Sequence, residues 1–457
     1  MSNYIIEHMN EEELSLKCNT SSLSNVESLL ELCRNEEWDS IEKNIDSMGN
    51  LWNIHETDEQ GNTPIHLCAS KGALSTLNLL YSLTPAMNLN KKDKTGSSPM
   101  HVASFFGHLE IMEWLFSHGG LIHERDGNQR TCLLIASARG YLNIIKWLFK
   151  NGCSLETWDS DGNTAVYLAC GEGHLDIVIW LHQNGCKIET MSTPDTCAYI
   201  ASANGHLHVL KWLYQNGCSW TETKNGASCI IAAAGKGNLD ILKWLHKHNC
   251  SLDSRYHGYS CILLGSVNGH LHIVKWLYEQ GCLLSDTNNY GDNCMLLAAW
   301  MGHTDIMAWL YEQGESFDVR GRSGDSCILL ACSSGKLDAV KYLHKNGCSL
   351  HERSNFETCL TIASKKGHLD LISWLVENGC NLDEKNREGT CIMIAALHKQ
   401  VDTVLWMLSN GSSIDENQKL DKDNNVVEAN KSCEQILKDN RLYYEIKSIH
   451  SLKSSRN

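Results

Sequence analysis

The chain has 457 residues, more than one ordinary hydrophobic core sustains, since single cores stop growing near ~250–300 residues. Several domains, or an architecture that grows by repetition, must therefore be sought. With 39 Lys+Arg against 54 Asp+Glu, a net charge of −15, it lacks the basic excess that binding to nucleic acid or an anionic membrane demands. From the start, Met1–Lys17 carries Glu7, Glu11, Glu12 and Glu13 and no apolar stretch of a secretory signal. A cytoplasmic protein is expected, with a nuclear one not excluded. Residues 1–24 read as a mobile segment. Residues 25–57 place Val26, Leu29, Leu30 and Leu32, then Trp38, Ile41 and Ile45, at helical spacing with a polar opposite side, as at the outer end of an array.

From there to residue 418 the chain repeats. Trp114, Trp147, Trp180, Trp212, Trp244, Trp276 and Trp309 follow one another at steps of 32 or 33, continued by Tyr342, Trp374 and Trp406. Cys132, Cys197, Cys229, Cys261, Cys294, Cys327, Cys359 and Cys391 keep the same step. So do Cys153, Cys186, Cys218, Cys250, Cys282, Cys348 and Cys380, so periodicity accounts for fifteen of the 21 cysteines. One unit shows the local physics. Cys261–Val267 is a short apolar segment broken at Asn268-Gly269. His270–Gln280 follows, with Leu271, Ile273, Val274, Trp276 and Leu277 on one broad face, and stops at Gly281. Helices of roughly ten residues fall below the ~12–15 needed for stability alone, so each pair must stack on its neighbours. The polar stretch from Ser285 to Asn293 reads as a turn or hairpin to the next pair. Residues 419–457 are polar, with a helical stretch at 432–449 suited to capping the array. No apolar run approaches the ~20 residues needed to span a bilayer.

Asp58-Glu-Gln-Gly61-Asn-Thr63-Pro64-Ile-His66-Leu-Cys-Ala69, Ser98-Pro99-Met-His101-Val-Ala103 and Gly107-His108-Leu109 carry a resemblance to the ankyrin-repeat family. It runs over about 26–418. The resemblance implies an all-α solenoid of about twelve helix-turn-helix units with short hairpin connections: an N-terminal capping repeat at 25–57 and about eleven repeats at 58–418. The Lys-Trp-Leu…Asn-Gly-Cys variant is similar to expanded arrays of protists and giant DNA viruses. Departures are clear. The family histidine becomes Leu134, Tyr167, Tyr199, Ile231 or Leu263; Phe356 and Pro194 stand where a hairpin glycine is expected; two residues are added near Thr84-Pro85; and Lys399-Gln400 replaces Gly-His.

Catalysis finds no support: the chain has no Gly-rich phosphate loop, no His-Glu-x-x-His and no Gly-x-Ser-x-Gly. Cys-x-x-Cys is absent too, and the recurrent His108, His174, His206, His270, His303 and His368 lie a repeat or more apart, so they read as helix-start residues rather than metal ligands. The cysteines read as small buried hydrophobes. The competing reading is a lowered-pKa thiol at a helix N-terminus, at Cys197 or Cys229, acting in redox sensing. The tryptophan ladder reads as core, and full burial would make Trp244→Ala cost ~3–5 kcal/mol. No cofactor and no metal ligand are assigned.

In the family, partners bind on the concave face through hairpin tips and the exposed side of each first helix. Those positions here include Phe105, Phe106, Arg139, His257, Asn289 and Lys365. Tyr256, Tyr259, Tyr290, Trp300 and Met301 stand out, with Arg320 and Arg322 as a basic rim, because aromatic residues, Met and Arg are enriched at interface cores. The function expected is a non-enzymatic scaffold, monomeric, for a protein partner on the concave face. Alternatives are a substrate adaptor of a ubiquitin-ligase-type complex, with the tail recruiting machinery, and a thiol-rich metal or redox protein.

Overall fold

The computed structural model describes residues 28–41, 43, 53, 55–85, 87–188, 196–218 and 228–412; the expected mobile start, the tail with its capping helix, and Pro194 lie outside them. The chain divides into two compact units, 1–160 and 161–457. Both are built from one repeated device, an all-α stack of helix pairs.

The device follows from the sequence. In the unit at 261–282, Ser260 is the extended residue before the first helix, Cys261–Val267. That helix ends when Gly269 turns to φ 78° and the His270 N–H returns to the Gly265 carbonyl at 2.8 Å. The second helix, Leu271–Glu279, ends the same way. Gly281 sits at φ 93°, its N–H bonding the Tyr278 carbonyl, and the Cys282 N–H bonds that of Leu277 at 3.0 Å. Both stops satisfy orphan helix carbonyls through a left-handed residue.

In the first unit a helix at Leu29–Arg34, capped by the Ser28 hydroxyl accepting from the Glu31 N–H, buries Leu29, Leu30, Leu32 and Cys33 and packs on Pro64–Lys71. Helix pairs Pro64–Lys71/Leu74–Leu83, Pro99–Phe106/Leu109–Ser117 and Cys132–Arg139/Leu142–Lys150 follow. The residues added near Thr84 fall at the end of a second helix lengthened to ten residues. The second unit runs from Ala165–Glu172/Leu175–Gln183 to Cys391–Leu397/Val401–Ser409. In each unit consecutive first helices pack directly on one another, while each second helix packs mainly on its own first helix. The close stack is possible because its centre is small: Ala103, Ala136, Ala169, Ala201, Ala233, Ala298, Ala331, Ala363 and Ala395 are wholly buried. Most connections are turns. Two-residue antiparallel strands form at Arg255–Tyr256/Tyr259–Ser260, Arg353–Ser354/Glu357–Thr358 and Lys385–Asn386/Gly389–Thr390.

Beyond Trp114, the tryptophans of the ladder are not core. Trp114 is buried, but Trp147, Trp180, Trp212, Trp244, Trp276, Trp309, Trp374 and Trp406 are only half-buried. The next residue on the helix, such as Leu148, Leu213, Leu245 or Leu277, takes the wholly buried place. Most of these indoles instead lie along the outer surface against an aromatic ring of the preceding repeat. Tyr214 meets Trp244 edge-on at 5.5 Å, and Tyr278 meets Trp309 at 5.6 Å. An indole is too large for the tight seam between helices but covers its rim well.

The recurrent histidines are ties between repeats. His303 Nε2–H donates to the Val267 carbonyl at 2.9 Å and His368 Nε2–H to the Ser333 carbonyl at 3.1 Å. Each ring lies over the inter-helix glycine of the repeat before it. A Cβ on Gly269 would stand 2.6 Å from the His303 ring, so glycine there is required by close approach as well as by φ. In the last described repeat Lys399 adopts the glycine conformation at φ 59°, and Gln400 Nε2 reaches the Lys365 carbonyl. Among the described residues, no helix is long and apolar enough to cross a membrane.

Candidate functional site

Hairpin tips of the second unit form a connected edge. At the first tip, Tyr256 and Tyr259 are cross-strand partners, both half-buried, and Tyr256 packs on His257 with ring centroids 4.2 Å apart. Gly258 of that tip lies against Asn289 of the next. The Arg322 N–H then donates to the Tyr290 carbonyl at 3.0 Å, and its guanidinium to the Asn289 carbonyl at 2.9 Å. Asn355 Nδ2 reaches the Ser323 carbonyl at 2.8 Å, and the Arg387 guanidinium lies 4.0 Å over the Phe356 ring. Backbone carbonyls thus tie the first four tips in succession, the first through Arg255 donating to the Thr287 carbonyl at 3.1 Å, and a cation over a ring joins the last, while side chains project from the edge.

The expected binding residues divide on this edge. Tyr290, 69% exposed, stands free on its tip. Trp300, 42% exposed, and half-buried Met301 close the first helix Cys294–Met301. No ring contact joins Tyr259, Tyr290 and Trp300 among the described residues. Arg320 is not a free rim charge: its guanidinium pairs with Glu352 and donates to the Gly324 carbonyl at 2.8 Å. Arg322 keeps its charge without a carboxylate partner among the described residues.

Phe356 and Arg387 complete the edge and were not singled out as binding residues by the sequence. Phe356 is 56% exposed and holds φ 72°, after Asn355 at φ 48°. A bulky residue at positive φ costs ~1–2 kcal/mol, and such strain concentrates at functional positions. The departure from glycine was legible; its meaning needed the exposure and the arginine over the ring.

Among the described residues, the thiols at the helix starts do not form a reactive centre. Cys197 is buried, and burial pushes the Cys229 and Cys261 thiols up to about 12. Redox sensing by a low-pKa thiol needs the opposite shift. Several sulfurs serve packing between repeats: Cys261 Sγ faces the Ile230 carbonyl at 3.9 Å and Cys294 Sγ the Ile262 carbonyl at 4.0 Å, each in the preceding repeat.

A family model described as ankyrin repeats (3 copies) matches residues 19–126, 120–192, 198–287 and 328–418. Among solved structures, the human ASB11 ankyrin repeat domain is similar at 22% identity, over 44% of this chain and 90% of that one, with a TM-score of 0.40. No curated protein matches.

Proposed function

The chain belongs to the ankyrin-repeat family, a family of protein-interaction modules, and from that premise we propose that it is a non-enzymatic scaffold whose second unit binds an acidic protein segment along the hairpin edge from Tyr256 to Arg387. The observation that carries this reading is the chain of ties between successive tips, which presents Tyr290, Arg322, Phe356 and Arg387 on one fixed backbone. Rigid presentation lowers the ordering cost of association, and Tyr and Arg supply most hot-spot energy. With adjacent helices about 8–10 Å apart, the four steps between five tips span roughly 30–40 Å, the length of an extended segment of about ten residues. The charge preference follows from Arg322 and Arg387, neither of which has a carboxylate partner among the described residues.

The test is affinity capture with mass spectrometry, comparing wild type with Tyr290→Ala/Phe356→Ala, alongside urea unfolding of both. Both side chains are mostly exposed, so the double variant should keep its stability to within about 1 kcal/mol. Loss of specific interactors from that folded variant, and their weakening by Arg322→Glu, supports the edge. An unchanged interaction profile places the interface elsewhere, with Tyr290→Ala/Trp300→Ala as the next variant. Ligase subunits among the lost interactors would identify an adaptor.

A further inference from the structure

From residues that the binding edge does not use, we propose that His351, Cys380 and Glu384 form a zinc-class metal site that ties two consecutive repeats of the second unit together. Their ligand atoms all lie within 4.8 Å of one another. His351 Nδ1 stands 4.0 Å from Glu384 Oε1, and Cys380 Sγ faces the carbonyl of Leu350, the residue before the histidine, at 4.0 Å. Tetrahedral zinc at its usual bond lengths holds its donors about 3.3–3.8 Å apart. The contraction needed is at most about 1.5 Å, and the exposed His351 ring can supply part of it by turning about its χ angles. Imidazole, thiolate and carboxylate together suit a borderline ion such as zinc better than calcium or magnesium, which take oxygen donors. Three protein ligands leave the fourth tetrahedral position to solvent.

Sibling repeats show why this position differs. The same three places are Asp253, Cys282 and Asp286 in one repeat and Asp318, Cys348 and Glu352 in another. There the third carboxylate is neutralised by an arginine of the preceding hairpin: Arg255 takes Asp286 and Arg320 takes Glu352. Arg353 holds the corresponding position but forms no ion pair with Glu384 among the described residues. Glu384 keeps the hydroxyl bond that Ser260 makes to Asp286 in the sibling repeat: the Thr358 hydroxyl donates to its Oε2 at 2.5 Å, the outer-shell hydrogen bond that metal carboxylates commonly have. Replacing the first acid by His351 and freeing the last from arginine turns a carboxylate–arginine clamp into a ligand set. Binding then converts Cys380–SH and M²⁺ into a Cys380–S⁻–M²⁺ bond and releases one proton.

The experiment titrates the reduced, metal-stripped full chain with Co²⁺ and back-titrates with Zn²⁺, following thiolate-to-cobalt charge-transfer absorption. The expected result is one equivalent of Co²⁺ with the thiolate band, bleached by Zn²⁺. Loss of an outer-shell partner weakens metal binding by ~10–100-fold, so His351→Ala, which removes a ligand, should weaken it by at least ~100-fold. His351 is exposed, so that variant keeps the fold, whereas Cys380→Ser alone would confuse lost metal with lost packing. His123→Ala is the control: His123 Nδ1 lies 3.7 Å from Cys153 Sγ, but Thr157 stands where the carboxylate would be, and binding should be unchanged. No saturable one-equivalent binding overturns the proposal. So does a thiolate band that survives His351→Ala or vanishes with His123→Ala.

Discussion

Phe356 holds its left-handed conformation at a cost that a glycine would not incur, and only part of that cost returns through Arg387, since a cation over an exposed ring contributes about 0.5–1 kcal/mol. Truncation to alanine loses the ring and keeps the strain, whereas glycine loses both. Phe356→Gly should therefore be more stable than Phe356→Ala by about 1 kcal/mol, read as the difference in urea unfolding free energy. His66 and His101 make the pH prediction. Each imidazole sits inside a capping box, its Nδ1 accepting from the Thr63 or Ser98 backbone N–H and its Nε2–H donating to the Ser97 or Glu124 carbonyl. Burial lowers the pKa of both below 6.5, outweighing the raising effect of those carbonyls and of Asp58, Asp93 and Asp126. The folded state then binds fewer protons than the unfolded state once the pH falls below the unfolded value. The stability due to neutral histidine is complete above about pH 6.5 and is lost as pH falls toward the depressed folded values. Unfolding midpoints at about pH 7.5 and 5.5 should differ for wild type, and differ less for His101→Leu, because the slope follows the proton difference.

Each helix pair is held by a narrow apolar stripe, and the stripe ranks its members. Leu245 has no exposed surface, while Trp244 beside it is half-buried between Tyr214 and His248. Truncating a buried leucine leaves a cavity and costs about 3 kcal/mol or more. Removing the indole at the rim leaves a groove open to water rather than an enclosed cavity, so only its area burial is lost, about 2 kcal/mol. Leu245→Ala should therefore destabilise the second unit more than Trp244→Ala, although tryptophan is the larger residue. Equal or reversed losses in chemical denaturation would return tryptophan to the core.

Within each unit a helix pair packs on its sequence neighbours, so stability approximates a sum of repeat and nearest-neighbour terms. Interior pairs have two such neighbours. Amide exchange in helix Cys294–Met301 should accordingly be slower than in Cys391–Leu397, the first helix of the last described repeat; equal protection would mean that the second unit opens only as a whole. The sequence by itself determined the repeat, its helix pairs and the recurring places of the cysteines within them, because these recur every 32 or 33 residues and repeat physics acts on each copy alike. It also marked Tyr290 and Trp300 as out of pattern. It did not determine which face the tryptophans cover, since Trp244 and Leu245 are adjacent apolar letters on one helix and only packing tells seam from rim. Nor did it reveal that Arg320 is spent on Glu352, that Phe356 meets Arg387, or that His351 faces Cys380 and Glu384. Those pairs lie about one repeat apart in the chain and meet only across the stacked interface, so tertiary structure alone decided them.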